Sequence, residues 1–203
     1  MTRFADRRRV AALLLVAGLP VAATARQPQR PAAVSKPDPA ASQREAGVDI
    51  WTDHLKVRTY PSAPSVAPGQ RVSLVLEIEP GERMHVYAPG ADGYRVIMLT
   101  VAGQPFVRLL EQQYPASEIY VFEPLNERIP VYQKPFKLVQ ELTLDAGPRA
   151  QAALRGQAQL TLKGSLDYQA CDDRICFNPV SVPLSWTLAL RAAPRPGGPA
   201  TPE

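Results

Sequence analysis

Metal-binding and redox-active residue types are scarce in this chain, which has 203 residues but only two cysteines and two histidines. Cys171 and Cys176 are separated by four residues, and His54 and His85 lie far upstream of them. A structural zinc site needs about four such ligands at short, regular spacings, so we predict no metal site. No glycine-rich phosphate loop, Ser/His/Asp set or carboxylate pair stands out either.

A strong charge excess is also missing. The chain has 23 Lys and Arg against 19 Asp and Glu, and its first 25 residues hold four of those arginines and one aspartate, which leaves 19 basic and 18 acidic residues. So small a net charge excludes an electrostatic footprint for nucleic acid or an anionic membrane surface. No later segment has an uninterrupted apolar run of the roughly 20 residues that span a bilayer. We therefore predict no membrane span in the mature chain.

The first 25 residues have the three parts of an export signal. A cluster of arginines precedes a short, mainly apolar stretch at residues 10–23, and Ala-Thr-Ala at residues 23–25 supplies the small residues of a cleavage site. We interpret residues 1–25 as a cleaved signal peptide, with an uncleaved N-terminal anchor as the alternative. Disulfides can form and persist in an exported chain, so the two cysteines are expected to pair.

Proline-rich segments flank the central part of the chain. Residues 26–47 and 192–203 combine several prolines with small and polar residues, and neither segment has apolar periodicity. Such segments cannot bury enough apolar surface to fold. We expect a disordered linker at 26–47, a single domain at 48–191 and a disordered tail at 192–203.

Apolar residues recur at every second position within residues 48–191, as in strands with one buried face. The clearest runs lie at residues 72–79, 136–144, 158–168 and 180–191, and weaker ones at 55–60, 84–87, 96–101, 119–122 and 129–131. Gln140 interrupts the apolar face of the second run, and one helical turn is plausible near 149–154. We predict an all-β, immunoglobulin-like antiparallel β-sandwich with disordered N- and C-terminal tails.

The two cysteines fall at the tip of a predicted hairpin. One strand ends just before Cys171, and the next begins soon after Cys176. Paired residues of antiparallel strands have Cα atoms about 4.5–5.5 Å apart, and a disulfide needs about 4.4–6.8 Å. A disulfide between the two cysteines can therefore close with little backbone movement.

The spacing leaves two interpretations of this disulfide open. A structural bond that closes a ring of about six residues contributes only roughly 2 kcal/mol in the chain-entropy model. A bond between neighbouring strand ends is instead easy to reach and to reopen, as thiol–disulfide exchange requires. Arg174 would favour a thiolate, whereas Asp172 and Asp173 would oppose it. The spacing therefore favours neither interpretation.

The cysteine motif resembles a known family. Tyr168-Gln169-Ala170-Cys171, four residues, Cys176-Phe177-x-Pro179 and then Val182-Pro183-Leu184 are similar to the N-terminal periplasmic domain of the thiol:disulfide interchange protein DsbD, the disulfide bond corrector family. Met84-His85-Val86-Tyr87 and the segment from Tyr114 to Tyr120 support the resemblance, which covers roughly residues 49–190.

This resemblance implies an immunoglobulin-like fold and a function in the periplasm. It implies that Cys171 and Cys176 form a redox pair, which receives electrons from a membrane-embedded thiol reductase and passes them to oxidised periplasmic proteins without a cofactor. Relatives often carry a multi-span membrane domain and a thioredoxin domain, for which these 203 residues have no counterpart. We therefore expect donor and acceptor to be separate proteins.

The resemblance also implies residues around the redox pair. The loop around Glu111–Ser117 matches a cap that shields the pair, with Glu111 in it and Tyr114 as its aromatic candidate. His85 and Tyr87 match positions near the pair that are aromatic in relatives, and Tyr168 and Phe177 belong to the cysteine motif itself.

Two other functions remain as alternatives. One is a non-enzymatic exported binding module whose hairpin disulfide is structural, and the other is a scaffold or chaperone for envelope assembly. Six aromatic residues could line a carbohydrate or peptide groove, but we favour an ordinary strand core for them. They are Tyr87, Tyr94, Phe106, Tyr114, Tyr120 and Phe122.

Overall fold

The computed structural model describes residues 39–123 and 126–192, so the predicted signal peptide, the first part of the predicted linker and residues 193–203 lie outside the described residues. The helices are α1 (Pro39–Glu45) and α2 (Pro148–Leu154), and the strands are β1 (Val48–Trp51), β2 (Leu55–Pro61), β3 (Ser65–Val66), β4 (Arg71–Pro80), β5 (His85–Tyr87), β6 (Met98–Val101), β7 (Val107–Leu109), β8 (Glu118–Phe122), β9 (Glu127–Tyr132), β10 (Phe136–Leu144), β11 (Gln159–Tyr168), β12 (Ala170–Cys171) and β13 (Val180–Leu190).

The strands form three sheets. The first has the order β1-β2-β4-β10-β7, the second β3-β13-β11-β6 and the third β12-β5-β9-β8. All pairings between the named strands are antiparallel except that of β3 with β13, which is parallel. The predicted all-β antiparallel sandwich is therefore confirmed.

The main core lies where alternate residues of the first two sheets face each other. Leu74 and Leu142 of the first sheet and Leu162 and Leu188 of the second are completely buried within it. Gln140 is a polar exception: it is buried, and its side-chain amide donates a hydrogen bond to the Leu110 carbonyl over 2.6 Å. Because its donor is satisfied, this residue interrupts the apolar face without breaking the strand.

Two features of the fold differ from the sequence prediction. The predicted disordered linker at 26–47 contains α1, whose Arg44 forms a 2.8 Å salt bridge with Glu77 of β4. A helix of this length with no apolar periodicity depends on such contacts with the sheet, which the local pattern does not reveal. The short strands β1, β3, β7 and β12 were also missed, because two to four residues are too few to show alternation.

The third sheet receives the cysteine hairpin. β11 pairs with β13 in the second sheet up to Tyr168, and β12 pairs with β5 in the third sheet only two residues later. Between them, the Gln169 side-chain amide donates to the Phe177 carbonyl over 3.0 Å, and the Phe177 N–H donates to the Ala170 carbonyl over 2.9 Å. These bonds hold both arms of the hairpin together as it leaves one sheet for another.

Gly164 of β11 permits a close approach between strands and generates a stability prediction. A Cβ atom here would overlap the Thr100 carbonyl oxygen of β6 and lie 3.2 Å from the Trp186 ring. We expect Gly164→Ala to lower the free energy of unfolding by about 1–3 kcal/mol, because neither the backbone nor the packed ring can move cheaply. Urea denaturation followed by fluorescence checks this value.

Gly103→Ala is the matched control for that substitution. A Cβ atom at Gly103 meets nothing within 4 Å, so this variant is expected to unfold like the unmodified protein. If both variants lost the same stability, the loss at Gly164 could not be caused by its close approach to Thr100 and Trp186.

Candidate functional site

The two cysteines are joined across the hairpin. Cys171 ends β12 and forms an antiparallel bridge with Cys176, and the two Cα atoms are 4.0 Å apart, slightly closer than the expected range. Cys171 is only 1% exposed, whereas Cys176 is an exposed residue. The disulfide therefore joins one buried and one open position.

A one-residue shift in register aligns the cysteines. At the base of the hairpin Tyr168 pairs with Val180, and at its tip Cys171 pairs with Cys176. Three positions separate the two paired residues on the first arm, but four separate them on the second, so the second arm contains one extra residue. The shift lies around Pro179, which has no N–H to offer a strand ladder, and it gives the arm the character of a β-bulge.

The acidic residues of the hairpin loop are engaged locally. The Asp172 carboxylate accepts the backbone N–H groups of Ile175 and Arg174 over 2.8 and 2.7 Å, and these bonds lower the pKa of Asp172. The Asp173 carboxylate accepts a 2.6 Å hydrogen bond from the exposed Arg83 guanidinium. Since exposed ion pairs contribute little stability, we interpret these contacts as fixing the shape of the loop.

Tyr87 contacts both sulfur atoms. Its hydroxyl oxygen lies 3.1 Å from Cys171 Sγ and 3.3 Å from Cys176 Sγ. Burial raises the pKa of Tyr87 to about 12, so the phenol stays protonated at neutral pH and can donate a hydrogen bond to sulfur. Its ring stacks on Tyr94 at a centroid distance of 4.3 Å, and the Tyr94 hydroxyl donates to the Glu127 carboxylate.

His85 lies directly across from Cys171 in the pairing of β5 with β12. The residue is 2% exposed, and its ring stacks on Tyr120 at 4.7 Å and meets the Tyr87 ring edge-on at 5.7 Å. Its Nδ1 atom is buried and has no hydrogen-bond partner in the structure. Burial lowers the pKa of His85, an effect that Asp173 and Asp172 partly oppose, so the buried site favours the neutral imidazole.

A small cleft of about 100 Å³ opens beside the disulfide. Its walls come from β5, the cysteine hairpin, Tyr94 and the β8–β9 pair. The lining residues are His85, Tyr87, Tyr94, Tyr120, Phe122, Ile129 and the hairpin residues from Cys171 to Cys176. This volume is comparable with that of a single side chain, and both cysteines of the disulfide border it.

The other two residues of the predicted cysteine motif lie at the base of the hairpin. Tyr168 is completely buried, and its hydroxyl lies 2.8 Å from Thr52 Oγ1. The Phe177 ring packs 4.6 Å from the His54 ring. Neither Tyr168 nor Phe177 lines the cleft. They support the hairpin and do not contact the space beside the sulfurs.

The loop predicted to cap the disulfide is placed elsewhere. Glu111 is exposed, Gln113 pairs with Val139 of β10, and Tyr114 packs against the main core with its hydroxyl donating to Gln112 Oε1 over 3.1 Å. Neither Glu111 nor Tyr114 lines the cleft, so the structure does not bring these two predicted cap residues beside the disulfide.

The alternation of side chains along β5 and β9 explains where the loop that contains Glu111 and Tyr114 lies. Val86 pairs with Tyr132 on the core face of the third sheet, and the Tyr132 hydroxyl donates to the Pro115 carbonyl of the predicted cap over 2.9 Å. Tyr87 and Cys171 belong to a separate buried cluster on the other face. The loop is thus anchored on the side of the sheet that faces away from the disulfide.

Tyr94, Tyr120 and Phe122 also line the cleft, although sequence reasoning favoured an ordinary strand core for them. Tyr120 and Phe122 occupy alternate positions of β8 and are half-buried, whereas Ile119 and Val121 point outward and are exposed. The expectation that Tyr94, Tyr120 and Phe122 are ordinary core residues is therefore incomplete. The alternation within β8 was visible in the sequence, but not the position of this strand beside the hairpin.

Within residues 39–123 and 126–192, no three His, Cys, Asp or Glu side chains are placed to hold a metal ion. Neither described helix has the length and apolar character needed to cross a bilayer.

Comparison with known proteins identifies the family. A family model described as "Thiol:disulfide interchange protein DsbD, N-terminal" matches residues 52–182, well over half of the chain, including both cysteines. The crystal structure of the N-terminal periplasmic domain of ScsB from Proteus mirabilis is similar, with a TM-score of 0.46 and 15% identity, over 68% of this chain and 49% of that chain. The chain thus spans about half the length of that structure. No curated protein matches the sequence. The chain belongs to the family of the N-terminal domain of the thiol:disulfide interchange protein DsbD, which links its disulfide to thiol–disulfide interchange.

Proposed function

We propose that this chain is a periplasmic thiol–disulfide oxidoreductase that carries electrons from a membrane-embedded thiol reductase to oxidised envelope proteins. The unequal exposure of Cys171 and Cys176 is the observation that carries this proposal. Because one cysteine of the disulfide is exposed and the other is buried, a partner's thiol can attack only the exposed cysteine. The export signal at residues 1–25 and the family match support the location and the chemistry.

Reduction begins at the open residue. A thiolate of the reduced donor attacks Cys176 Sγ, the Sγ–Sγ bond breaks, and the bonding electron pair stays on Cys171 Sγ. The product is a mixed disulfide between the donor and Cys176. The second thiol of the donor then attacks the donor sulfur in this mixed disulfide and releases Cys176. The donor is now a disulfide, and this chain is a dithiol.

The same steps in reverse pass the electrons on. Cys176, as a thiolate, attacks the disulfide of an oxidised envelope protein and forms a second mixed disulfide. Cys171 then attacks Cys176 Sγ, which restores the hairpin disulfide and releases the acceptor as a dithiol. Each cycle moves two electrons and two protons, and exchange of sulfur–sulfur bonds needs no cofactor.

We propose that Tyr87 assists both the opening of the hairpin disulfide by the donor and its re-formation when an acceptor is reduced. Its protonated hydroxyl is within hydrogen-bond distance of both sulfurs, so it can follow the negative charge as this charge develops on Cys171 Sγ. Hydrogen bonds to a developing anion in a water-poor site lower the barrier to its formation. This contact is also the reason to expect a stabilised thiolate despite the burial of Cys171.

A trapping experiment tests the assignment of the attacked cysteine. In Cys171→Ser, Cys176 cannot be resolved from within the chain, so mixed disulfides with envelope proteins should accumulate. Cys176→Ser leaves only the buried thiol and should give far fewer adducts, because partners cannot reach it. Non-reducing electrophoresis of acid-quenched periplasmic extracts measures both.

The double variant Cys171→Ser/Cys176→Ser is the control for that experiment. Adducts that persist in the double variant do not involve the pair. If neither single variant yields adducts above this background, the chain is better described as a binding module with a structural disulfide.

A redox titration tests whether the bond is exchangeable. Exposed disulfides have higher reduction potentials than structural ones, which lie below roughly −300 mV. We expect the potential of the Cys171–Cys176 pair to lie well above this value, and the oxidised and reduced forms to have the same circular dichroism. A bond that resists mild reductants in the folded protein, or whose loss unfolds the chain, would contradict the proposal.

The Tyr87 hydroxyl generates a separate prediction. Tyr87→Phe removes the donor beside the sulfurs but keeps the ring, so reduction by dithiothreitol should slow by roughly tenfold and the reduction potential should fall. The matched control is Tyr94→Phe, which removes a hydroxyl that bonds to Glu127 and not to sulfur. Equal effects of the two substitutions would indicate a loss of packing and not of a hydrogen bond to sulfur.

A further inference from the structure

His85 is a buried basic group that the exchange steps above do not use. It is the cross-strand partner of Cys171, so both side chains point to the same face of the third sheet. Both residues line the cleft, and both are at least 98% buried, at 2% and 1% exposure. Among the described residues, the buried Nδ1 atoms of both His85 and His54 have no hydrogen-bond partner, but only His85 lines the cleft beside the disulfide.

Opening the disulfide creates a charge that this site must accommodate. The Cys171 sulfur leaves as a thiolate at a position that water hardly reaches, and an isolated buried anion is costly. A counter-charge within a few ångströms, or a proton, is required. Tyr87 supplies a hydrogen bond but no charge, because its phenol stays neutral.

We propose that His85 takes up the proton that accompanies opening of the disulfide and forms an imidazolium–thiolate pair with Cys171. This inference rests on the proposed exchange function and deepens it. Imidazole is the side chain of this cleft that can gain a proton near neutral pH. In the oxidised protein the His85 Nδ1 atom has no hydrogen-bond partner among the described residues, so it is available to hold this proton or to bond to the thiolate.

The step balances without a further reactant. The donor dithiol gives up two electrons and two protons and becomes a disulfide. The Cys171–Cys176 bond takes up the two electrons, one proton goes to Cys176 Sγ, and the other goes to His85, which becomes positive as Cys171 Sγ becomes negative. When an acceptor is reduced, Cys171 attacks as this thiolate, and His85 returns its proton to the acceptor's thiolate product through solvent.

The charges around His85 are consistent with a neutral imidazole in the oxidised protein, and reduction of the disulfide would change them. Asp172 and Asp173 lie on the hairpin beside it, but turn N–H groups bind the first and Arg83 the second. Tyr87 of β5 and Tyr120 of β8 contact its ring without charge, and Arg174 lines the same cleft. A thiolate on Cys171 would be a new negative charge directly opposite the imidazole.

Nuclear magnetic resonance of the histidine rings tests the inference directly. The chain has only two histidines, so two imidazole signals are followed against pH in the oxidised protein and in the protein reduced with a phosphine. We expect the His85 midpoint to move to higher pH on reduction, because the thiolate stabilises the imidazolium. The His54 signal serves as the internal reference in both samples, since His54 does not line the cleft. His54→Phe assigns the signals.

The thiolate provides the reciprocal measurement. In Cys176→Ser, Cys171 is the only thiol, and its ionisation is followed by ultraviolet absorbance. We expect the Cys171 thiolate to form at lower pH in this variant than in Cys176→Ser/His85→Phe. His85→Phe keeps an aromatic ring against Tyr120, and in the otherwise unmodified chain it should slow reduction by dithiothreitol at neutral pH at least about tenfold, while His54→Phe should not.

The outcomes separate this inference from the function on which it rests. An unchanged His85 midpoint on reduction overturns the inference, and this measurement needs no substitution at His85 that could unfold the protein. If the midpoint is unchanged while Cys171→Ser still traps partners, exchange stands and only the role of His85 falls. If the native disulfide cannot be reduced at all, both fall.

Discussion

The register shift at the end of the β11–β13 hairpin is the constraint on which the site depends. If the register at Tyr168 and Val180 continued unchanged, Cys171 would lie opposite Phe177, and the side chain of Cys176 would belong to the next pair. One extra residue before β13 brings the two cysteines opposite each other, and it leaves Phe177 on the core side of its strand. Because a one-residue shift exchanges the two faces of a strand, the same feature controls both the bond and the packing beneath it.

The position of β12 in a different sheet determines the chemical environment of the bond. Since β12 pairs with β5, His85 lies across from Cys171 and the Tyr87 hydroxyl contacts its sulfur, while Tyr120 stacks on His85 and Tyr94 on Tyr87. These rings exclude water without adding charge. The acidic residues of the loop are bound to turn N–H groups and to Arg83, so their charge is partly neutralised. The sulfurs thus respond mainly to hydrogen bonding and proton uptake.

The sequence contained the information for the main strands but not for the surroundings of the disulfide. Runs such as 72–79 and 180–191 are long enough for period two to identify both the strand and its buried face. The prediction for Glu111 and Tyr114 followed from the resemblance, but Tyr132 holds that loop from the core face of the third sheet. β12 has two residues, and β8 reaches the cleft only through its pairing with β9. Neither arrangement leaves a local pattern to detect.

Glu111 and Tyr114 of the predicted cap do not line the cleft, so the exposure of the disulfide depends on the strands around it. A cap is needed when both sulfurs would otherwise be open to any thiol. Here Cys171 is only 1% exposed, and it borders the same cleft as His85, Tyr87 and Tyr120. In the proposed exchange, attack at the exposed Cys176 leaves the negative charge on Cys171 Sγ, next to the Tyr87 hydroxyl. In the proposed exchange, burial of one cysteine within the sheet therefore favours attack at the other cysteine, without a loop that covers the bond.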